Sequence, residues 1–238
     1  MGQKKLIRFE EIKTFRNVLQ YPLDMQGKWN EFFKNNNPII LELGCGKGEY
    51  TIALSEKNPK INYLGIDQKG NRLWVGARKA LAKELSNAAF LRIQIDHITE
   101  YFSRDEISEI WITFPDPQLR ISKARKRLTH PKFLRLYSQF LKAAGIIHLK
   151  TDSPDLYNFT KTVINMYGCT LVHDIPSIYS ERQISEELQI KTYYETLDIA
   201  GSKRIHYLCF SLPEILPGKE KDEELKHKLK ELEIVKHI

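Results

Sequence analysis

The sequence predicts an α/β fold in which a mostly parallel sheet carries helices on both faces. Two observations carry that prediction. Short apolar runs alternate with segments of helical periodicity from about residue 38 to residue 212, the pattern of repeated strand–helix units. A carboxylate also stands at or just beyond the end of each of five expected strands, where ligands of such sheets bind.

The elements follow in order. IILEL (39–43) reads as a buried strand and 49–57 as the helix after it. INYLGI (61–66) is the next strand, and the helix over 71–85 places Leu73, Ala77, Leu81 and Leu85 on one face. FLRIQI (90–95) and EIWITF (109–114) are the third and fourth strands. Residues 132–144 read as a helix stopped by Gly145, followed by the fifth strand IIHLK (146–150) and a helix over 154–167. CTLVHDI (169–175) and IHYLCFSL (205–212) are expected to pair as a terminal hairpin-like couple.

With 238 residues, 42% of them hydrophobic, the chain can build the core of one α/β domain. It contains no apolar run long enough to span a membrane. The start MGQKKLIRFEEIK lacks the apolar stretch of a secretory signal. Cys45, Cys169 and Cys209 are few, odd in number and far apart, as expected of reduced thiols in a cytoplasmic protein. No CxxC and no histidine cluster occurs, so no metal is expected. The net charge of +7 suits a polyanionic partner such as nucleic acid.

Three segments fall outside the alternating core, which spans 38–213. Residues 1–37 intersperse Lys4, Lys5, Arg8, Lys13 and Arg16 with Phe9, Phe15, Tyr21 and Trp29, and are expected to form a basic N-terminal arm. Residues 176–204 are a long polar connection rich in Tyr and Ser, the expected substrate-binding insertion. Residues 214–238 set Leu225, Leu229 and Leu232 on one helical face, an amphipathic tail with no assigned chemistry.

The strand ends concentrate the candidate site. ELGCGKGEY (42–50) alternates Gly44, Gly46 and Gly48 after the acid Glu42. This is neither the GxGxxG of a dinucleotide loop nor the GxxxxGK[ST] of a P-loop. Alternating glycines behind an acid allow close backbone approach to a ligand without phosphate, and Glu42 can receive an ammonium. Asp67 at the second strand end can accept from both hydroxyls of a ribose. Asp96 at the third can accept from an adenine amino group. S-adenosylmethionine has this combination of groups, so the loop and its acids are read as a site for it.

The fourth strand runs into FPDPQLRISKARKRL (114–128). Pro115 and Pro117 constrain the backbone of Asp116 from both sides. Arg120, Lys123, Arg125, Lys126 and Arg127 follow, suited to RNA phosphates. Tyr193 and Tyr194 offer a stacking face or simple packing.

This arrangement resembles the class I methyltransferases, Rossmann-like enzymes whose seven-stranded sheet ends in a reversed hairpin. The closer resemblance is to the bacterial tRNA (guanine-N7)-methyltransferases. It rests on LELGCGKGEY, YLGID, FPDP with its basic run, HLKTD (148–152) and TYYE (192–195). The signature of that family after the fourth strand reads DPWPKKRHxKRRL. Here Gln118 stands for its Trp, Leu119 for its Pro and Lys123 for its His, and Ile121 and Ser122 replace two basic residues.

The resemblance implies that Glu42, Asp67, Asp96 and Asp116 contact S-adenosylmethionine, with S-adenosylhomocysteine as product. It implies that Asp116 is also the catalytic acid of the site, and that Arg120, Asp152, Thr192, Tyr193, Tyr194 and Glu195 contact substrate. The implied partner is tRNA, methylated at N7 of a guanosine in its variable loop, by a monomer or a homodimer. A small-molecule methyltransferase and a non-catalytic RNA-binding relative remain open at this point.

Overall fold

The computed structural model of the chain describes residues 2–197, 201 and 204–236. Among them, eight strands form one sheet: β1 (Val18–Gln20), β2 (Ile39–Leu43), β3 (Asn62–Asp67), β4 (Ala88–Arg92), β5 (Ile107–Thr113), β6 (Leu141–Thr151), β7 (Thr170–Ile175) and β8 (His206–Ser211). Their spatial order is β1-β4-β3-β2-β5-β6-β8-β7. β8 runs antiparallel to both neighbours, and every other pair is parallel. β2 through β8 are the expected sheet with its reversed terminal hairpin.

The expected seven strands are therefore corrected to eight. The additional one is β1, which pairs Val18 with Phe90 and Gln20 with Arg92. Among the described residues of the N-terminal segment expected as a basic arm, two α-helices and β1 pack on the domain. Helix α1 (Gly2–Glu11) leans on helix α4 (Gly70–Ala82): Arg8 donates to Asn71 Oδ1 at 3.2 Å, and Trp74 Nε1 donates to Glu11 Oε2 at 2.9 Å. Helix α2 (Trp29–Phe33) plugs the core with Trp29, which is fully buried and donates Nε1–H to the Tyr101 carbonyl at 2.8 Å. Of the aromatics in this segment, Trp29 is buried, Phe9 and Phe15 are half-buried, and Tyr21 is exposed. The side chains of Lys4 and Lys5 lie outside the described residues.

The period-two alternation of the strands sends side chains to two apolar layers. Leu41, Leu43, Ile110, Ile112, Ile147 and Leu149 point to one layer, beneath helices α5 (Pro131–Tyr137) and α6 (Pro154–Met166). Ile40, Trp111 and Tyr207 point to the other, covered by helix α3 (Glu49–Lys57) and residues 178–190. α6 begins as its sequence dictates, with Pro154 in the first turn and Ser153 Oγ accepting from Leu156 N–H at 3.2 Å.

The helix expected over 132–144 stops at Tyr137. Phe140 and Leu141 are buried instead beside β5, where Ile107 N–H donates to the Phe140 carbonyl at 3.1 Å. Residues 142–145 then bulge out, with Ala144 at φ 59°, before pairing resumes at Ile146. Pairing with the sheet overrides the local helical preference. Helix α8 (Glu220–Lys236) docks the C-terminal tail through buried Leu225 and partly buried Leu229. Asp222 accepts there from Tyr167 Oη at 2.7 Å. The side chain of Leu232 lies outside the described residues. Among the described residues, no helix is long and apolar enough to cross a membrane.

Candidate active site

The chain order reverses across β2: β3 lies on one side of it and β5 on the other. The carboxyl ends of these strands form the crevice that open α/β sheets use for ligands. Gly44, Gly46 and Gly48 fill its floor at φ 69°, 57° and 67°, a left-handed region that side chains rarely adopt. At Gly48 a Cβ would also stand 2.4 Å from the Phe90 ring. Each glycine of the alternation therefore has a backbone reason.

Two acids hold this loop from beneath. Asp67 Oδ2 accepts from Gly46 N–H at 3.0 Å and Oδ1 from Lys69 N–H at 2.7 Å. Glu42 Oε2 accepts from Thr51 N–H at 2.8 Å and Thr51 Oγ1–H at 2.6 Å, and Oε1 from Thr113 Oγ1–H at 3.0 Å. Burial pushes the Glu42 carboxyl up to about 7, against the lowering effect of those hydrogen bonds. Both acids thus shape the loop, and Thr51 and Thr113 are partners that sequence reasoning missed.

Asp96 does not end a strand. β4 stops at Arg92, and Asp96 lies on a 3₁₀ turn, exposed and paired with Lys132. Asp116 is exposed, and its Oδ1 accepts from Gln118 N–H at 3.0 Å. Phe114 and Gln118, on either side of it, adopt φ 46° and 47°. Such non-glycine outliers cluster at functional sites. Asp152, at the exit of β6, is half-buried.

The basic run divides. Arg120, Arg125 and Lys126 are exposed on and beside a 3₁₀ turn over 121–126. Arg127, expected among the phosphate ligands, turns inward and is 4% exposed. Its guanidinium is engaged by backbone carbonyls of residues 117–119.

Helix α7 (Tyr193–Leu197) closes over the glycine loop. Thr192 is buried, and its Oγ1 accepts from Glu195 N–H at 3.2 Å. Lys47 Nζ sits 3.8 Å from the centre of the Tyr193 ring, and the Arg72 guanidinium 5.6 Å from that of Tyr194. Glu195 faces inward. Its Oε2 accepts from Lys150 Nζ at 2.9 Å, with side chains 4% and 0% exposed, and its Oε1 accepts from Tyr179. Glu195, expected to contact substrate, makes an internal ion pair here. The signal for Lys150 was its place at the end of the strand IIHLK, next to Leu149.

These segments meet. A Cβ on Gly44 would lie 3.7 Å from Leu128, at the end of the basic run, and one on Gly46 would lie 3.9 Å from the Tyr194 ring. The glycine loop thus meets α7 and the end of the 114–128 connection at the carboxyl edge of the sheet. Its bare backbone, backed by acids and walled by tyrosines, fits a ligand carrying a ribose diol and a cationic amino-acid group.

This sheet and this cleft define the fold class of the S-adenosylmethionine-dependent methyltransferases. Solved structures of that class agree. A 16S rRNA methyltransferase, KamB, superimposes with a TM-score of 0.61 at 15% identity, covering 83% of this chain and 99% of that one. A SAM-dependent methyltransferase from Aquifex aeolicus gives 0.53 at 13% identity, covering 88% and 98%. Residues 36–207 match a family model described as "Putative methyltransferase". The chain is 44% identical to the tRNA (guanine-N(7)-)-methyltransferase of Christiangramia forsetii, over 89% of this chain and 100% of that protein. It is 42% identical to that of Bacteroides fragilis, over 94% and 92%. The chain belongs to the tRNA (guanine-N(7)-)-methyltransferase family.

Proposed function

We propose that the protein transfers a methyl group from S-adenosylmethionine to N7 of a guanosine in tRNA, at the variable loop. The observation that carries this reading is that the glycine loop, at the end of β2, meets Leu128 of the connection that leaves the adjacent strand β5 and carries Asp116, with Arg120, Arg125 and Lys126 exposed along that connection.

When bound, the cofactor supplies an electrophilic methyl group on a sulfonium, and the S–C electron pair stays with sulfur as the N7–C bond forms. Guanine N7 already carries an in-plane lone pair, so this chain needs no strong general base. Its residues have two other tasks. One is positioning, which accounts for much of the lowering of such barriers. Gly44, Gly46 and Gly48 admit the ligand against bare backbone, and Asp67 fixes the loop through Gly46 N–H. The other is electrostatic, because the methylated purine becomes cationic. The Asp116 carboxylate, at the end of the strand beside β2, supplies negative potential there.

Asp96 and Glu42 complete the acid set around the cofactor, Glu42 from beneath the loop. Asp152 and the rings of Tyr193 and Tyr194 border the base. The exposed cations hold phosphates and set register without reading sequence. The test is mass spectrometry of tRNA incubated with the protein and cofactor carrying a labelled methyl group, mapping the modified nucleotide. Label on N7 of a variable-loop guanosine is expected. Label confined to small metabolites, or to another base, would overturn the reading.

A further inference from the structure

Of the five cations after Asp116, Arg127 alone is buried; Arg120, Lys123, Arg125 and Lys126 are exposed. Its Nε donates to the Pro117 carbonyl at 3.0 Å and to that of Gln118 at 3.3 Å. Its Nη2 donates to the Gln118 carbonyl at 3.0 Å and to that of Leu119 at 3.4 Å. The guanidinium plane is backed by Phe159 of α6, with its central carbon 4.4 Å from the ring centre. One side chain thus ties three consecutive carbonyls, those that directly follow Asp116, to the helix behind the sheet.

The turn needs an outside brace. Pro115 and Pro117 have no N–H to donate, so the turn is poor in bonds of its own. Phe114 and Gln118 hold positive φ, which non-glycine residues keep only where the surroundings over-determine it. The single bond that links the acid to its own turn runs from Gln118 N–H to Asp116 Oδ1, and Gln118 is the residue whose carbonyl Arg127 grips twice. A planar fork suits this task, because Nε and Nη2 reach consecutive carbonyls from two separate atoms in one plane, whereas the donors of an ammonium all diverge from a single nitrogen.

We propose that Arg127 is a positioning residue for methyl transfer: it sets where the Asp116 carboxylate points and binds no phosphate. The proposal rests on the reading of Asp116 as the acid beside the reacting base. It separates Arg127 from its neighbours by function: Arg125 and Lys126 govern how tRNA is held, and Arg127 governs how fast the held tRNA reacts.

The experiment compares Arg127→Lys, Arg125→Ala and Asp116→Ala by steady-state kinetics with tRNA over a salt series, with melting curves for each. In Arg127→Lys, kcat falls about tenfold or more, since small displacements near the reacting atoms are that costly. Its KM for tRNA and its salt slope stay as in the wild type. In Arg125→Ala, KM rises and the salt slope drops by about 1. A wild-type kcat in Arg127→Lys overturns the proposal, and so does a salt slope reduced as in Arg125→Ala. If Arg127→Lys fails to fold, Phe159→Leu keeps every donor and removes the backing ring. The same selective loss of kcat is expected there, and a wild-type kcat overturns the proposal. Near-normal turnover in Asp116→Ala would instead overturn the role of Asp116, whatever Arg127 does.

Discussion

Lys150 and Glu195 form an ion pair closed off from solvent, Nζ to Oε2 at 2.9 Å, with side chains 0% and 4% exposed. Lys150 Nζ also donates to the carbonyls of Leu188 at 3.0 Å and Ile190 at 2.8 Å. One strand lysine thereby anchors the segment that ends in α7. Lys150→Met leaves the Glu195 carboxylate buried without its cation, a change that costs roughly 3–5 kcal/mol. Lys150→Met with Glu195→Leu recovers most of that stability, because neither charge is then stranded. Urea unfolding of the three proteins checks the order. If Lys150→Met proved as stable as the wild type, the pair would not anchor the segment.

Arg125 and Lys126 are the exposed end of the basic run. On the proposed reading, replacing both by Ala removes two phosphate contacts, so the slope of log K against log salt becomes shallower by about 1.4 to 1.8. Affinity falls at low salt and the difference shrinks at high salt. Filter binding of tRNA between low and moderate salt measures this, and an unchanged slope would place these cations off the RNA path.

Asp116→Asn tests charge apart from shape. The amide oxygen still accepts from Gln118 N–H, so the turn keeps its own bond. The negative potential is lost, and kcat falls roughly 10²- to 10³-fold, the scale for removing one electrostatic contact to a transition state. The Kd for tRNA stays within about threefold. Single-turnover rates give the first quantity and equilibrium binding the second. A rate near wild type would mean that another group meets the developing charge.

What was legible in the sequence was local. The glycine alternation at 44–48 announces itself because left-handed backbone demands glycine there, and Glu42 and Asp67 stand out at the ends of apolar runs, whereas Asp96 lies past the end of its strand. What was not legible depends on partners far along the chain. Arg127 reads like Arg125 until Phe159 and the 117–119 carbonyls are seen around it. Glu195 reads as a free acid until Lys150 and Tyr179 close on it. β1 is three residues long, too short for any period to show, and only its pairing with β4 defines it. The helix expected past Tyr137 failed because β5 offered Phe140 and Leu141 a better place.

Glu42 links the site to pH. Burial lifts its carboxyl from an ordinary value of 4.5 to about 7, and Glu49 nearby adds to the rise. In the unfolded chain it titrates at the ordinary value. Between the two values the folded protein holds more protons than the unfolded one, so this group's contribution to stability declines as pH rises. The contribution is complete below about 4.5 and lost above about 7. The gap corresponds to roughly 3 kcal/mol. Glu42→Gln has no proton to lose there, and its amide can still accept from Thr51 and donate to Thr113. The stability difference between wild type and Glu42→Gln should therefore change with pH only across that window, the wild type losing ground as pH rises. Urea midpoints of both proteins from pH 4.5 to pH 8 measure it. A difference that stayed constant over the series would mean that Glu42 ionises in the folded protein as readily as in the unfolded one.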